Sequence, residues 1–121
     1  MTDGISRLTE EKVTQAFSDY LENDGWSVAT DLEGFTDLQA SRNGEVLVAE
    51  VKGHTKSPGT AIDIGFGQLL RRMTHPFHRT RYALVVPASL QWHVNRVVPE
   101  VRSKLSVEIY IVSESGKVSR I

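Results

Sequence analysis

Three residues suited to acid–base and metal chemistry cluster around one short turn: Asp37, Glu50 and Lys52. Residues 37–52 read Asp-Leu-Gln-Ala-Ser-Arg-Asn-Gly-Glu-Val-Leu-Val-Ala-Glu-Val-Lys. Asn43-Gly44 is a strong signal for a two-residue β-turn, whose central positions both need a positive φ. With that turn, Arg42 faces Glu45 and Asp37 faces Glu50 across a hairpin. Side chains alternate along a strand, so Lys52 shares a face with Glu50. Facing Cβ atoms lie ~4.5–5.5 Å apart, and two carboxylates that close repel unless something positive lies between them. A hydrated divalent cation meets that need, and the ammonium beside it suits a metal-assisted hydrolase.

Positioning these groups requires the rest of the chain to form a sheet with supporting helices. Residues 9–24 predict a first helix, with Thr9 as N-cap and Glu10 and Glu11 at the positive end of the helix dipole. Val13, Ala16, Phe17, Tyr20 and Leu21 form its apolar stripe, and Gly25 is a stop signal. Trp26 opens an extended segment reaching about Thr30, and residues 31–36 read as a turn. The second arm of the hairpin is apolar on both faces, with Val46 and Val48 on one and Leu47, Ala49 and Val51 on the other. Such a strand is usually covered on both sides. Residues 53–60 read as a loop. Ile62, Phe66, Leu69, Leu70 and Met73 then predict a second helix, which tolerates Gly65 and Gly67. Residues 74–81 form a basic loop, and residues 82–86 a short strand ending at Pro87. Ser89 is a candidate cap for a third helix with Val94, Val97, Val98, Val101 and Leu105 buried, kinked or restarted at Pro99. Residues 107–112 and 117–121 read as strands about a turn at 113–116. The order α-β-β-β-α-β-α-β, followed by the last short strand, implies an α/β fold with a mixed sheet and helices on both faces. The whole chain, 1–121, reads as one domain.

Composition narrows the function classes. With 121 residues there is room for one modest core. No window approaches the roughly 18 apolar residues of a membrane span, and the N-terminal residues lack the apolar core of a signal peptide. A soluble, cytoplasmic protein is expected, with no membrane partner. The absence of cysteine excludes disulfides, thiolate zinc sites and cysteine nucleophiles. The four histidines show no zinc spacing, and Trp26 and Trp92 read as core or edge packing. The net charge of −1 hides an asymmetry: residues 1–50 carry eleven acids and three bases, residues 51–121 four acids and eleven bases. The chain can therefore present a basic face, or its halves can neutralise each other.

Asp37, then twelve residues, then Glu50-Val51-Lys52 on adjacent strands after an N-terminal helix resembles the PD-(D/E)XK nuclease superfamily. This family has the restriction-endonuclease-like fold, with an αβββαβ core; the C-terminal helix and strands would be additions to it. Thr36 departs from the pattern, standing where a proline often precedes the aspartate. The resemblance implies that Asp37 and Glu50 ligate Mg²⁺ with help from the Val51 carbonyl, Mn²⁺ being the natural substitute. Mg²⁺ demands oxygen ligands and is usually bound by one or two carboxylates plus substrate phosphate. Lys52 would position the attacking water and stabilise developing negative charge. Many members place a further glutamate on the first helix. Taking Val13 as reference at ~100° per residue, Glu10 falls ~60° away, inside the apolar stripe, and Glu11 ~160° away. Glu10 is therefore favoured over Glu11. Some members carry a glutamine on the helix after the catalytic strand, which matches Gln68. Ala61, Gly65, Gln68 and Arg72 share one flank of that helix, where small residues would admit a backbone. Lys56, Arg71, Arg72, Arg79 and Arg81 are candidates to hold phosphates.

The expected function is a Mg²⁺-dependent endonuclease hydrolysing DNA in repair, recombination or restriction. Its size resembles that of the smaller members, including junction resolvases, and cutting as a homodimer is expected. Two alternatives stand beside it: a nucleic-acid-binding module that keeps the fold without cutting, and a nuclease of RNA.

Overall fold

Thr9 caps the first helix through its side chain, which accepts a hydrogen bond from the Lys12 N–H at 3.2 Å. In the computed structural model, which describes residues 7–30, 37–73 and 79–121, helix α1 runs Glu10–Asn23. It stops at Asp24, and Gly25 adopts a φ of 84°. Val13, Phe17 and Leu21 are its buried stripe. Full burial of each such side chain contributes roughly 1.5–3 kcal/mol.

Strand β1 (Ser27–Thr30), strand β2 (Leu38–Arg42) and strand β3 (Glu45–Val51) form an antiparallel meander. The expected turn at Asn43-Gly44 is present, with φ of 52° and 80°. Arg42 pairs with Glu45 and Leu38 with Ala49, the register anticipated from the turn. Helix α2 (Pro58–Arg72) then crosses to strand β4 (Thr80–Pro87), which lies parallel to β3. Helix α2 starts earlier than its apolar pattern suggested, because Pro58 is pre-set for the first helical turn. A 3₁₀ turn (Ala88–Leu90) and two short helices, α3 (Gln91–Asn95) and α4 (Pro99–Lys104), lead to strand β5 (Val107–Val112), parallel to β4. Strand β6 (Val118–Arg120) closes the sheet antiparallel to β5. The six strands lie in sequence order.

Two apolar clusters cover the two faces. On one, α1 packs on Leu38, Ala40, Leu47, Ala49, Val51, Ala83, Val85, Tyr110 and Val112. On the other, Ile62, Phe66 and Leu69 of α2, with Leu90 and Val94, pack on Tyr82, Leu84, Val86, Ile109 and Ile111. Alternation along β3 and β4 feeds both, which is why those strands are apolar on both sides. No helix among the described residues is long and apolar enough to cross a membrane.

Three expectations about packing are corrected. Leu70 is exposed rather than buried. Val98 and Val101 are exposed too, while Arg102 is buried in their stead. Pro99 starts a new helix, with Val98 extended at φ −62° and ψ 153°, so the stripe that would continue from Val94 loses its phase. Trp92 is 65% exposed, its ring edge-on to His93 with the Arg96 guanidinium over it. Trp26 packs as expected, buried beneath Arg42. The turn at 31–36, the Thr36 departure and most of the basic loop at 74–81 lie outside the described residues.

Candidate functional site

The β2–β3 hairpin brings Asp37 and Glu50 together at the carboxyl end of β3. Asp37 lies one residue before β2, and its Oδ2 accepts a hydrogen bond from the Val51 N–H at 2.8 Å. That bond ties the two strands where the ladder ends. Glu50 points to the α2 side and is fully buried. Neither of its carboxyl oxygens has a hydrogen-bond donor. Arg72 of α2 offers charge at longer range, with Nη2 3.7 Å from Glu50 Oε1. Buried carboxylates are normally satisfied by donors or by a metal, so Glu50 is held in an electrostatic deficit.

Its titration reflects this. Burial first, then the neighbouring Asp37 carboxyl, pushes the Glu50 pKa up from 4.5 to about 8. Asp37 acts both as an acceptor for a proton on Glu50 and as a repelling charge. Arg72 and Lys52 pull the other way without prevailing. A cation between the two carboxylates would oppose the shift by favouring their charged forms.

Lys52 lies just beyond β3 and turns towards α2, where its Nζ donates to Gln68 Oε1 at 2.8 Å. Helix α2 approaches this closely because of Gly65. A Cβ there would stand 2.7 Å from Leu84 Cδ1 and 3.4 Å from Lys52 Cε. The space at Gly65 is thus filled by the protein's own side chains, a correction to the idea that it admits a substrate backbone. Glu10 joins from the opposite side. It is exposed at the start of α1, yet partial burial of its carboxyl, then the charge of Asp37, raises its pKa, and Lys52 opposes that. Glu10 is thus within electrostatic reach of both groups. Gly53 fixes this approach: a Cβ there would lie 2.3 Å from the Glu10 backbone nitrogen, and the next residue, His54, donates its N–H to Leu8 O at 2.8 Å.

Asp37, Glu50, Lys52, Glu10 and Gln68 therefore converge, although they come from four separate elements and their flanks. The Val51 backbone lies between the two motif residues. Among the described residues, no group of three or more His, Cys, Asp or Glu side chains is arranged to hold a metal ion. The oxygen donors available are those of a two-carboxylate site, which fits Mg²⁺ completed by water and phosphate. Two buried, donorless oxygens beside a second carboxyl are the feature that makes a cation chemically suitable.

The five basic candidates separate. Arg72 reaches Glu50, and Arg71 beside it is exposed. Lys56 is exposed in the loop following Lys52. Arg79 lies at the other end of β3, its guanidinium donating to Gly44 O at 3.2 Å and to Asn43 O. Six residue steps along the strand, about 20 Å, separate Gly44 from Glu50. Arg81 is on the opposite sheet face, bidentate to Glu108 at 2.8 and 2.9 Å and bonded to the Tyr110 hydroxyl at 3.1 Å. Those bonds, against the effect of burial, hold the Arg81 guanidinium above its ordinary range. The structure does not bring Arg79 or Arg81 to the carboxylates. Of the histidines, His54 contacts Ser89 Oγ at 3.0 Å, and His75 and His78 lie outside the described residues.

No protein-family model and no curated protein matches the chain. Solved structures do. An XisH family protein from Nostoc punctiforme superposes with a TM-score of 0.61 at 22% identity, over 91% of this chain and 98% of the other. A fdxN element excision controlling factor protein from Anabaena variabilis gives 0.56 at 18%, over 92% and 98%. At such identity the likeness concerns the fold, and the fold is restriction-endonuclease-like: a mixed sheet flanked by helices.

Proposed function

We propose that this chain is a Mg²⁺-dependent nuclease that hydrolyses phosphodiester bonds in DNA. The observation that carries the reading is Glu50: a fully buried carboxyl without donors, beside Asp37 and one residue from Lys52. Structural economy alone would have replaced it with an apolar residue.

Asp37 and Glu50 would hold the ion, with the Val51 carbonyl as a third oxygen. Once bound, Mg²⁺ would make water a better nucleophile and neutralise charge growing on the phosphate. The chain's own groups do the rest. Gln68 holds the Lys52 ammonium on the α2 side of the carboxylates, where it can orient the attacking water and face developing negative charge. Glu10 can accept a proton or steady a water from the α1 side. Lys56 and Arg71 lie exposed on neighbouring segments, placed to take backbone phosphates. The second structural neighbour is named an excision controlling factor, and a DNA substrate for this chain accords with that name.

Incubation with supercoiled plasmid and with branched DNA, in Mg²⁺ or EDTA, tests the proposal. Cleavage is expected only with Mg²⁺, and Glu50→Gln should lower it by about 100-fold or more. Equal cutting by the variant would overturn the site.

A second reading has one observation behind it: among the described residues, no three His, Cys, Asp or Glu side chains are arranged to hold a metal ion. The chain would then bind DNA without cutting it. Saturable Mn²⁺ binding that is lost in Asp37→Asn separates the two, since a non-cutting module needs none.

A further inference from the structure

At the opposite end of the parallel strands from Glu50 lies a cavity of about 440 Å³. It opens at the amino-terminal ends of β4 and β5, under the end of α4. Arg81, Arg102 and Arg120 line it, with Thr80, Ser103 and Glu108. Two of these guanidinium groups, Arg81 and Arg120, face the one carboxylate.

That carboxylate is already engaged. Glu108 takes both bonds from Arg81 and one from the Tyr110 hydroxyl at 3.0 Å, and Arg120 Nη1 stands 3.9 Å away. Arg102 is different. It is 7% exposed, its Nη1 has no hydrogen-bond partner, and no acid among the described residues pairs with it. A guanidinium does not deprotonate in a protein, and buried charges are normally paired. An arginine buried where the valines could have filled this side of α4 leaves a charge without a partner among the described residues. It gains one if a counter-ion enters.

We propose that this cavity is an anion site that binds a phosphomonoester, whether on a free nucleotide or at the end of a nucleic-acid strand. A planar guanidinium fork matches phosphate oxygens, and the Thr80 and Ser103 hydroxyls supply neutral donors. The volume falls within the roughly 300–1,000 Å³ of small-molecule sites. The site is independent of the carboxylate centre, which lies at the other end of the parallel strands.

Calorimetric titration of the whole chain with inorganic phosphate and with adenosine monophosphate tests it. Saturable binding at one site is expected, weakened by about tenfold or more in Arg102→Met and less in Arg120→Gln, which alters an exposed side chain. Because Arg102→Met removes an unpaired buried charge, it should unfold at a higher temperature than wild type, and phosphate should raise the unfolding temperature of wild type more than that of Arg102→Met. Competition by a 5′-phosphorylated oligonucleotide, stronger than by the monophosphate, would assign the ligand to a strand end; weaker competition would assign it to a free nucleotide. Absence of saturable binding overturns the proposal. So does equal binding by both variants, or equal competition by phosphorylated and unphosphorylated oligonucleotides. None of these readouts depends on cleavage.

Discussion

Glu50 makes the strongest single-residue prediction, because its burial and its neighbour act in the same direction. Its folded pKa of about 8 stands above its ordinary 4.5. Between those values the folded protein keeps a proton that the unfolded chain has released. Stability from this group is therefore complete below pH 4.5 and is lost as pH rises through about 8, at up to ~1.4 kcal/mol per pH unit. Glu108 contributes the reverse: its carboxyl is held below the usual range despite burial, so its stabilisation fades only on acidification. Urea unfolding across this window should show wild type weakening with pH relative to Glu50→Gln, which has nothing to ionise. Mg²⁺ should restore wild type at the alkaline end and leave the variant unchanged. A wild type whose stability runs parallel to that of the variant would show that Glu50 is not held in deficit.

At the scale of elements, the site depends on where α1 begins. Gly53 lets the α1 start pass close to the loop after Lys52, with Cβ space blocked by backbone at 2.3, 2.8 and 2.9 Å. Backbone cannot swing aside as a side chain can. Gly53→Ala should therefore cost about 1–3 kcal/mol and shift Glu10 away from Asp37 and Lys52. The expected outcome is a lower urea midpoint together with cleavage reduced at temperatures where the variant remains folded. Wild-type behaviour in both assays would mean that the α1 approach is looser than its geometry requires. None of this closeness is legible in the sequence, where Gly53 reads as an ordinary loop residue. The hairpin is legible, because a two-residue turn at Asn43-Gly44 leaves a single register and so sets Asp37 against Glu50. Gln68 was legible only through the family resemblance; the bond that uses it comes from the packing angle of α2. The region after β4 misled for a physical reason. Periodicity assumes one continuous helix, and the break before Pro99 resets the phase so that Arg102, not Val101, turns inward.

For the whole molecule, the charge asymmetry becomes spatial. Several of the bases after residue 50 are consumed internally: Arg79 by the hairpin turn, Arg81 by Glu108, Arg72 by Glu50. A basic half of the sequence is thus not a basic face of the same size. Exposed Lys56 and Arg71 remain on segments next to the carboxylates. Parallel strands concentrate ligand sites at their carboxyl ends, and here β3 ends at Glu50 and Val51. If a duplex is bound at that edge, affinity should fall with salt in proportion to the phosphates neutralised, about 0.9 in logarithmic slope per contact. On a Glu50→Gln background, which keeps the DNA intact, Lys56→Ala with Arg71→Ala should flatten the slope by roughly 2. Arg79→Ala should leave the slope alone while lowering stability, since it loses its bonds to the turn. Fluorescence anisotropy of labelled duplex across a salt series measures both. If Arg79→Ala flattened the slope as much as the double variant, the DNA would have to lie along the hairpin end of the sheet, away from the carboxylates proposed to cut it.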